Sequence, residues 1–443
     1  MSYAGGFVSS SAHRTCIAVL GGSSAYLPAL AHDLLDRCGE LPPLEIRLFG
    51  RNASRVEGVA GYCNRRADER QVDHRYRSTT QLGSALRGVD VIVNMMRIGG
   101  FAGRSHDERF PLPHGYPGDE TIGPSGLASA IRSLPVVMDA ARTAEDLAPQ
   151  ATWIQMGNPL GVLLTGLTRE TRLRAFGLCE LPQHTLTQAL DLVGAQGEVQ
   201  VDYVGLNHQG FFTRIEQAGQ DLLPRIRDRI DQLEGHGFFR VSPRVIEDHA
   251  ALPLHYLRLY FDREQEVARQ SARDRDRGQE LEAQTAQLHA AYATRKDDLV
   301  PALLARRSTV WNALTLVPAL IALCGGPLVE LYISEPNHGH LPFLPDDAIV
   351  EKRAILDSTG IRADAPGLPE DSEAWRRTKD LLVRIQRFEE RSFQAAAQPC
   401  SATVLAALTQ HPFGIPIGKA RSMLPQILPS ENKETRPWAA STH

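Results

Sequence analysis

A chain of 443 residues is long for a single hydrophobic core, so we expect two closely packed domains. Hydrophobic residues make up 42% of the chain and charged residues 23%, which is typical of a soluble globular protein. The net charge of -4 excludes the basic footprint of a nucleic-acid-binding protein or of a protein that binds anionic membranes.

Three further features concern the compartment in which the protein works. No segment reaches the roughly 18 uninterrupted apolar residues that a membrane span needs. The first residues, MSYAGGFVSSSA, lack the basic and apolar regions of a secretory signal. The cysteines are scattered rather than closely spaced, which argues against a disulfide framework. We therefore expect a cytoplasmic protein that has neither nucleic acid nor a membrane as its partner.

Strand and helix patterns alternate in the first half of the chain, which predicts a parallel sheet with helices on both faces. Pro159 suits a helix start, because its missing N–H falls among donors that are unpaired there anyway. We expect residues 1–198 to form a Rossmann-like, nucleotide-binding α/β domain. The predicted strands are residues 15–20, 45–49, 89–95, 152–156 and 174–178, and the predicted helices begin near Tyr26, Ala53, Gly126 and Pro159.

The pattern changes after about residue 200, where longer helical stretches predominate. We expect residues 199–443 to form a helix-rich α+β domain that carries the substrate site and the oligomerisation surface. The polar tail from Pro429 is expected to fray. The predicted strands are 199–205, 211–217 and 328–334, with a turn at 218–220, and the predicted helices are roughly 262–294, 308–323 and 372–395.

The first predicted strand is followed by Gly21-Gly22-Ser23-Ser24, directly before a helix. Backbone N–H groups and the positive helix end make such a turn a seat for a pyrophosphate. The spacing is not GxGxxG, so a tight turn that uses glycine only for its torsion angles is the alternative. The position of the turn, at the first strand–helix junction, favours the nucleotide site.

The second predicted strand ends at Gly50, and Arg51 follows it. An Asp or Glu usually holds the ribose 2′-hydroxyl of NAD at this point. Glycine followed by a guanidinium is what the 2′-phosphate of NADP favours. The alternative is that Arg51 stacks on the adenine or faces solvent, so the choice between NAD and NADP stays open.

Motifs along most of the chain resemble the family 4 glycoside hydrolases, which depend on NAD and a divalent metal. The likeness begins at the glycine–serine turn. It continues through MRIGGFAGRSHDERFPLPHGYPGDETIGPSGL, Asn158-Pro159, Gly177-Leu178-Cys179 with Pro182, Gly205-Leu206-Asn207-His208, LPLHYLRLYF, Arg277 with Glu280, Asn337, Gly339, Leu344-Pro345 and Val350-Glu351. The Cys-x-x-Pro motif at residues 179–182 is similar to the branch that acts on phosphorylated sugars. Departures from the family pattern are Ser125, Ser308-Thr309 and Trp311.

The resemblance implies a glycosidase that does not use the usual pair of carboxylates. In this family the bound NAD takes a hydride from carbon 3 of the sugar, and the ketone acidifies the hydrogen on carbon 2. A base removes that proton, the aglycone leaves carbon 1, water adds, and the ketone is reduced back. We expect a 6-phosphoglycoside as the substrate and a homodimer or homotetramer as the assembly.

The resemblance also assigns roles to individual residues. A divalent cation, expected to be Mn²⁺, is held by Cys179 and His208 at neighbouring strand ends and acts as a Lewis acid. Tyr256 matches the base for the carbon 2 proton, and Glu180 is the candidate general acid. The substrate-binding candidates are Arg97, Asn158, Asn207 and Arg277, and the cofactor-binding candidates are Gly21, Gly22, Ser23, Ser24, Arg51 and Glu120.

Each of these residues taken singly has a plainer interpretation. Cys179 and His208 are residue types that often lie in a core, and Tyr256 suits an amphipathic helix. Glu180 suits a charge at a helix start, and Arg277 lies in a charge run of the kind that usually faces solvent. It is their joint occurrence in matching motifs that favours the catalytic interpretation.

Two other functions stay open at the level of the sequence. The first is an oxidoreductase, epimerase or lyase that acts on a sugar-like metabolite without hydrolysis. The second is a catalytically silent nucleotide-binding protein. The presence of Cys179, His208 and Tyr256 argues against the silent protein.

Overall fold

The computed structural model describes residues 14–428, so the predicted lack of a secretory signal and the tail from Pro429 lie outside the described residues. Within that range no helix combines the length and the apolar character that crossing a membrane requires. The strands are β1 Thr15–Leu20, β2 Leu44–Phe49, β3 Arg75–Thr79, β4 Val91–Asn94, β5 Thr152–Gln155, β6 Arg174–Leu178, β7 Gln200–Leu206, β8 Gln209–Gln217, β9 Gln220–Asp221, β10 Leu252–Pro253, β11 Val329–Pro336, β12 Ile349–Asp357 and β13 Gly360–Arg362. The helices are α1 Leu27–Asp36, α2 Ala53–Glu69, α3 Leu82–Leu86, α4 Gly100–Arg109, α5 Gly123–Leu147, α6 Leu160–Glu170, α7 Leu181–Val193, α8 Leu223–Asp231, α9 Pro243–His249, α10 Arg258–Phe261, α11 Arg263–Ser271, α12 Arg277–Ala293, α13 Val300–Leu304, α14 Val317–Leu323, α15 Glu373–Ala397, α16 Ser401–Gln410 and α17 Ile417–Ile427.

The larger sheet has the strand order β13-β12-β11-β6-β5-β4-β1-β2-β3. The six strands from β6 to β3 are parallel, in the order of a Rossmann domain. Side chains of β1 alternate between two cores: Ala18 and Leu20 join one, and Ile17 and Val19 join the other. Helices therefore cover both faces, and the predicted fold class is confirmed.

The predicted strands of the first half agree with the structure to within two residues, because each is a mostly buried run between turns. The helix expected near Gly126 begins at Gly123, and the others begin within one residue of prediction. The sequence reading missed β3, whose burial is largely confined to Tyr76. It also missed α4, a polar helix in which Asp107 is the buried residue.

The second half contains a smaller antiparallel sheet in which β8 pairs with β7, β9 and β10. The prediction of one helix over 262–294 was wrong. The helix is interrupted between α11 and α12. The Asp276 side chain caps α12 by accepting a hydrogen bond from Gln279 N at 2.9 Å. The helix expected over 308–323 begins two residues later and contains a π-helical turn at Asn312–Leu316.

The strand expected at 328–334 is β11, which joins the edge of the larger sheet rather than the smaller one. It pairs antiparallel with β6 and β12, so residues late in the chain extend the Rossmann-like sheet. The division of the chain between residues 198 and 199 stays a prediction.

Candidate active site

A cleft of about 820 Å³ opens along the carboxyl ends of the parallel strands. Its walls include residues that directly follow five of them: Gly21 after β1, Gly50 after β2, Met95 after β4, Met156 after β5 and Cys179 after β6. Open α/β sheets bind ligands at this edge, where the strand order reverses. The loop between β7 and β8, the turn before α10 and one side of α12 complete the walls.

With one exception, the residues predicted for the site line this cleft, and they are Gly21, Ser23, Ser24, Arg51, Arg97, Glu120, Asn158, Cys179, Glu180, Asn207, His208, Tyr256 and Arg277. The exception is Gly22, whose N–H donates to the carbonyl oxygen of Phe49 at 2.7 Å. A Cβ at Gly22 would lie 2.7 Å from the Cα of Leu48, so this glycine lets the turn pack on β2. Gly22 supports the turn and is not among the residues lining the cleft; the roles of the other residues stay predictions.

The glycine–serine turn is tightly packed, and the N–H groups of Gly21, Gly22 and Ser24 donate to the carbonyl oxygens of Phe49 and Gly21. Gly21 has φ +101°, and a Cβ there would lie 3.0 Å from the carbonyl oxygen of Met95. This position therefore needs glycine for its backbone conformation and for the close approach of β4. Ser23 and Ser24 face the cleft just before α1, where a helix start favours an anion.

Cys179 lies buried at the end of β6, between the sheet and the start of α7. The N–H of Leu181 points at its Sγ at 3.5 Å. Burial raises the pKa of the Cys179 thiol well above its ordinary value, and the carboxyl groups of Glu180 and Glu351 raise it further. The protein groups alone thus keep a thiol, whereas a bound cation favours the thiolate.

His208 occupies the two-residue loop between β7 and β8 with a left-handed φ of +66°. The strand ends that carry Cys179 and His208 belong to different sheets, which corrects the expectation of neighbouring strands. Burial lowers the pKa of His208 to about 4, although Glu120 opposes the shift. The imidazole is therefore neutral, the form that binds metals.

Two polar atoms in this loop are buried and have no hydrogen-bond partner within residues 14–428: Nδ1 of His208 and Oδ1 of Asn207. Such atoms are costly unless a ligand or water completes them. A non-glycine residue with positive φ adds strain, which typically accumulates at functional sites. Across the described part of the chain no three His, Cys, Asp or Glu side chains group around a metal position. Cys179 and His208 stay the predicted ligands, and two protein ligands would leave coordination positions for other oxygens.

Tyr256 lies in a 3₁₀ turn, His255–Leu257, rather than in the amphipathic helix of the plainer interpretation. Its ring stacks on His208, with centroids 4.4 Å apart and planes at 16°. Burial raises the pKa of the phenol, Asp119 and Glu120 raise it further, and Arg104 and Arg258 oppose them. The protein groups alone therefore keep Tyr256 protonated.

Glu120 forms ion pairs with two arginines in the cleft. Arg97 is one partner, and Nη1 of Arg104 lies 2.9 Å from a Glu120 carboxylate oxygen. Burial alone would raise the pKa of Glu120, but the guanidinium groups of Arg104 and Arg97 hold it well below its ordinary value. Glu120 is thus a carboxylate that fixes the position of Arg97.

Glu180 stands at the N-terminus of α7, and its side chain does not cap the helix. Burial raises the pKa of Glu180, which favours the protonated form that a general acid needs. The charge of Glu180 also acts on Glu351, which accepts hydrogen bonds from the hydroxyl of Tyr203 at 2.6 Å and from the Asn207 amide at 3.2 Å. Glu351 therefore positions Asn207, a contact that the sequence did not reveal.

Arg307 is the main cleft residue that the sequence reading missed. Its guanidinium lies 4.7 Å from the ring centroid of Tyr26 and 5.0 Å from that of Trp311. Burial, together with the charge of Arg97, lowers the pKa of Arg307 to about 10. No carboxylate among the described residues forms an ion pair with it, whereas Arg277 pairs with Glu280 at 3.0 Å. The described part of the cleft therefore offers an anionic ligand a cation that has no carboxylate partner there.

Comparison with known sequences identifies relatives over most of the chain. The family model described as Family 4 glycosyl hydrolase matches residues 16–194, and the model of the C-terminal domain of that family matches residues 203–413. The 6-phospho-beta-glucosidase of Escherichia coli (strain K12) is 26% identical over 411 residues, covering 89% of this chain and 90% of the relative. The maltose-6'-phosphate glucosidase of Bacillus subtilis (strain 168) is 31% identical over 221 residues, about half of each chain (49% and 49%).

Solved structures share the fold. The 6-phospho-beta glucosidase from Thermotoga maritima, solved with NAD and glucose-6-phosphate, superposes with a TM-score of 0.83 at 22% identity, covering 94% of this chain and 97% of that one. A 6-phospho-alpha-glucosidase from gut microorganisms, solved with NAD and Mn²⁺, superposes with a TM-score of 0.79 at 23% identity, with coverage of 94% and 97%. At these identities the likeness establishes the fold.

Proposed function

The chain belongs to family 4 of the glycosyl hydrolases, and from that premise we propose that it is a glycosidase that cleaves 6-phosphoglycosides with a nicotinamide dinucleotide and a divalent cation. The relatives include enzymes named for phosphorylated glucosides, and related structures contain NAD, Mn²⁺ and glucose-6-phosphate. The observation that carries the proposal is local. His208, whose Nδ1 has no hydrogen-bond partner within residues 14–428, and Cys179 line one cleft with a glycine–serine turn, and Tyr256 stacks on the imidazole.

Separate parts of the cleft would hold the two bound groups. The turn at Gly21, Ser23 and Ser24 would hold the dinucleotide, and Cys179 with His208 would hold the cation. When bound, the dinucleotide supplies a hydride acceptor and the cation supplies a Lewis acid beside the sugar oxygens. The neutral imidazole needs no proton loss for this task, whereas the Cys179 thiol must lose its proton on binding.

The remaining chemistry falls to the side chains around that pair. Tyr256 accepts the proton of carbon 2, and this proton is acidic only while carbon 3 is a ketone. Glu180 donates a proton to the leaving oxygen. Asn158 and Asn207 orient sugar hydroxyl groups, and the Glu351 carboxylate holds the Asn207 amide in place. Arg97, fixed by Glu120, lines the same cleft.

We assign the phosphate of the substrate to Arg307 together with Arg277. Both guanidinium groups line the cleft, and Arg307 has no carboxylate partner within residues 14–428. A half-buried arginine held between two aromatic rings keeps its planar donors oriented, which suits a phosphate. Arg277 is partly neutralised by Glu280 and contributes as the weaker of the two cations.

A panel of nitrophenyl glycosides tests the proposed function. Turnover is expected only for 6-phosphorylated members, and only with a dinucleotide, Mn²⁺ and a reductant that keeps Cys179 a thiol. Substrates without phosphate serve as the control. Turnover that survives a chelator contradicts the proposal, as does net formation of reduced cofactor or a stable keto or unsaturated product.

Replacing Arg307 by methionine is expected to raise KM for the phosphorylated substrate at least about tenfold, because a charge-assisted contact is lost. Arg306→Met is the matched control, since Arg306 is exposed and bonds Gln287 at 2.7 Å. Steady-state kinetics and dinucleotide titration together decide the outcome. An equal loss of dinucleotide affinity would place Arg307 on the cofactor instead.

The domain division and the assembly are part of the same proposal. Residues 1–198 would hold the dinucleotide and contribute Cys179, while residues 199–443 contribute His208, Tyr256 and the arginines on α12 and before α14. The homodimer or homotetramer stays a prediction, which sedimentation equilibrium of the full chain would test.

A further inference from the structure

The end of the cleft beside β2 has a composition of its own. Ser23, Gly50, Arg51 and Arg55 line it, from the turn after β1 and from the junction between β2 and α2. In a Rossmann domain this junction faces the adenosine ribose, and its side chains distinguish a free 2′-hydroxyl from a 2′-phosphate. The residues here therefore bear on which dinucleotide the chain takes.

Gly50 occupies the position of the carboxylate that accepts a hydrogen bond from the ribose 2′-hydroxyl of NAD. A Cβ at Gly50 would lie 2.7 Å from the Cβ of Ser23 and 2.9 Å from its Oγ. The Ser23 side chain thus fills the space that an Asp or Glu side chain would need. The packing of the turn after β1 against the β2–α2 junction therefore excludes an acidic side chain at position 50.

The other carboxylates of the cleft have different surroundings. Asp107 pairs with Arg132, Glu120 pairs with Arg97, and Glu180 lies beside Cys179. Glu282 lines the cleft from α12 and is exposed, so it is the alternative acceptor for a ribose hydroxyl and has to be tested directly.

Two guanidinium groups stand where the acid is missing. Arg51, just before α2, and Arg55, in its first turn, are exposed and form no ion pair with any residue between 14 and 428, whereas Arg66 of α2 pairs with Glu69. The first turn of α2 is already capped, because Asn52 Oδ1 accepts a hydrogen bond from Arg55 N at 3.0 Å. Recognition of an anion at this junction therefore falls to the two side chains, whose planar donors suit a phosphate.

We propose that this chain binds NADP in preference to NAD, with Arg51 and Arg55 on the 2′-phosphate, an inference that rests on the proposed dinucleotide site. Two positive charges face a group of nearly two negative charges, and no carboxylate at position 50 repels it. The ribose 2′-hydroxyl of NAD finds no acceptor side chain at Gly50.

The test is calorimetric titration of the full chain with NADP and with NAD, in the absence of sugar. NADP is expected to bind at least about tenfold more tightly than NAD. Arg51→Ala should weaken NADP about tenfold or more and leave NAD within about twofold. Arg66→Ala, outside the cleft, and Glu282→Gln should change neither affinity.

The reciprocal variant Ser23→Gly with Gly50→Asp removes the two closest contacts of a Cβ at position 50 and leaves the backbone nitrogen of residue 23 at 3.1 Å, and it is expected to favour NAD over NADP. NAD binding as tightly as NADP to the natural chain overturns the inference, and so does an equal loss of both dinucleotides in Arg51→Ala. A large loss of NAD affinity in Glu282→Gln also overturns it, by assigning the ribose to α12. If neither dinucleotide binds, the proposed function itself fails.

Discussion

Replacing Cys179 by serine, or His208 by asparagine, is expected to lower turnover about a thousandfold, equivalent to about 4 kcal/mol of transition-state stabilisation. The serine keeps the volume of the thiol but replaces a soft sulfur donor with a harder hydroxyl. Asparagine tolerates the left-handed backbone of position 208 and lacks the imidazole. Each variant should retain the fold and lose tight Mn²⁺ binding, which calorimetry measures.

Cys400→Ser is the matched control for these two variants. Cys400 is exposed at the N-terminus of α16, where serine is a favourable capping residue, so neither metal binding nor turnover should change. Full turnover by Cys179→Ser in the presence of a chelator would contradict the assignment of the metal ligands.

Replacing Tyr256 by phenylalanine is expected to lower turnover between about a hundredfold and ten-thousandfold, the range of a lost general base. The phenyl ring preserves the stack on His208, so dinucleotide and Mn²⁺ affinities should stay within about twofold. Burial, Asp119 and Glu120 raise the pKa of Tyr256, and a cation bound at Cys179 and His208 would oppose them and favour the phenolate that accepts a proton. Turnover and binding are measured on the same preparation.

Tyr260→Phe, one turn later, separates chemistry from structure. The hydroxyl of Tyr260 donates to Gln209 Oε1 at 2.5 Å, and Tyr260 is not among the residues that line the cleft. Its loss should cost about 1 kcal/mol of unfolding free energy and leave turnover nearly unchanged. Equal kinetic losses in the two variants would assign Tyr256 a packing role.

Much of the Rossmann-like sheet is predictable from local pattern, because apolar runs such as β1 and β6 end at turn signals. The antiparallel pairing of β11 with β6 is not predictable in this way, because the paired residues lie more than 150 residues apart in the sequence. Ile333, for example, pairs with Leu178. The break before α12 depends on Asp276, whose side chain also accepts hydrogen bonds from Ser105 and Arg109. These contacts are distant in the sequence, so the local pattern does not reveal the break.

The candidate site likewise combines features that the sequence predicts with contacts that it does not reveal. Cys179 and the glycine–serine turn come together because parallel strands present their carboxyl ends at one edge. The sequence cannot show that Arg307 contacts Tyr26 as well as the nearby Trp311, because Tyr26 lies near the other end of the sequence, just before α1. Nor does it show that Ser23 occupies the space beside Gly50, a contact between two loops.

The measurement that tests the central claim most directly is hydrolysis of a 6-phosphoglycoside by the full chain in deuterated water. Removal of the carbon 2 proton by Tyr256 predicts one deuterium at carbon 2 of the released sugar, observed by NMR, and none without the dinucleotide or Mn²⁺. Hydrolysis that leaves carbon 2 free of deuterium would contradict the account.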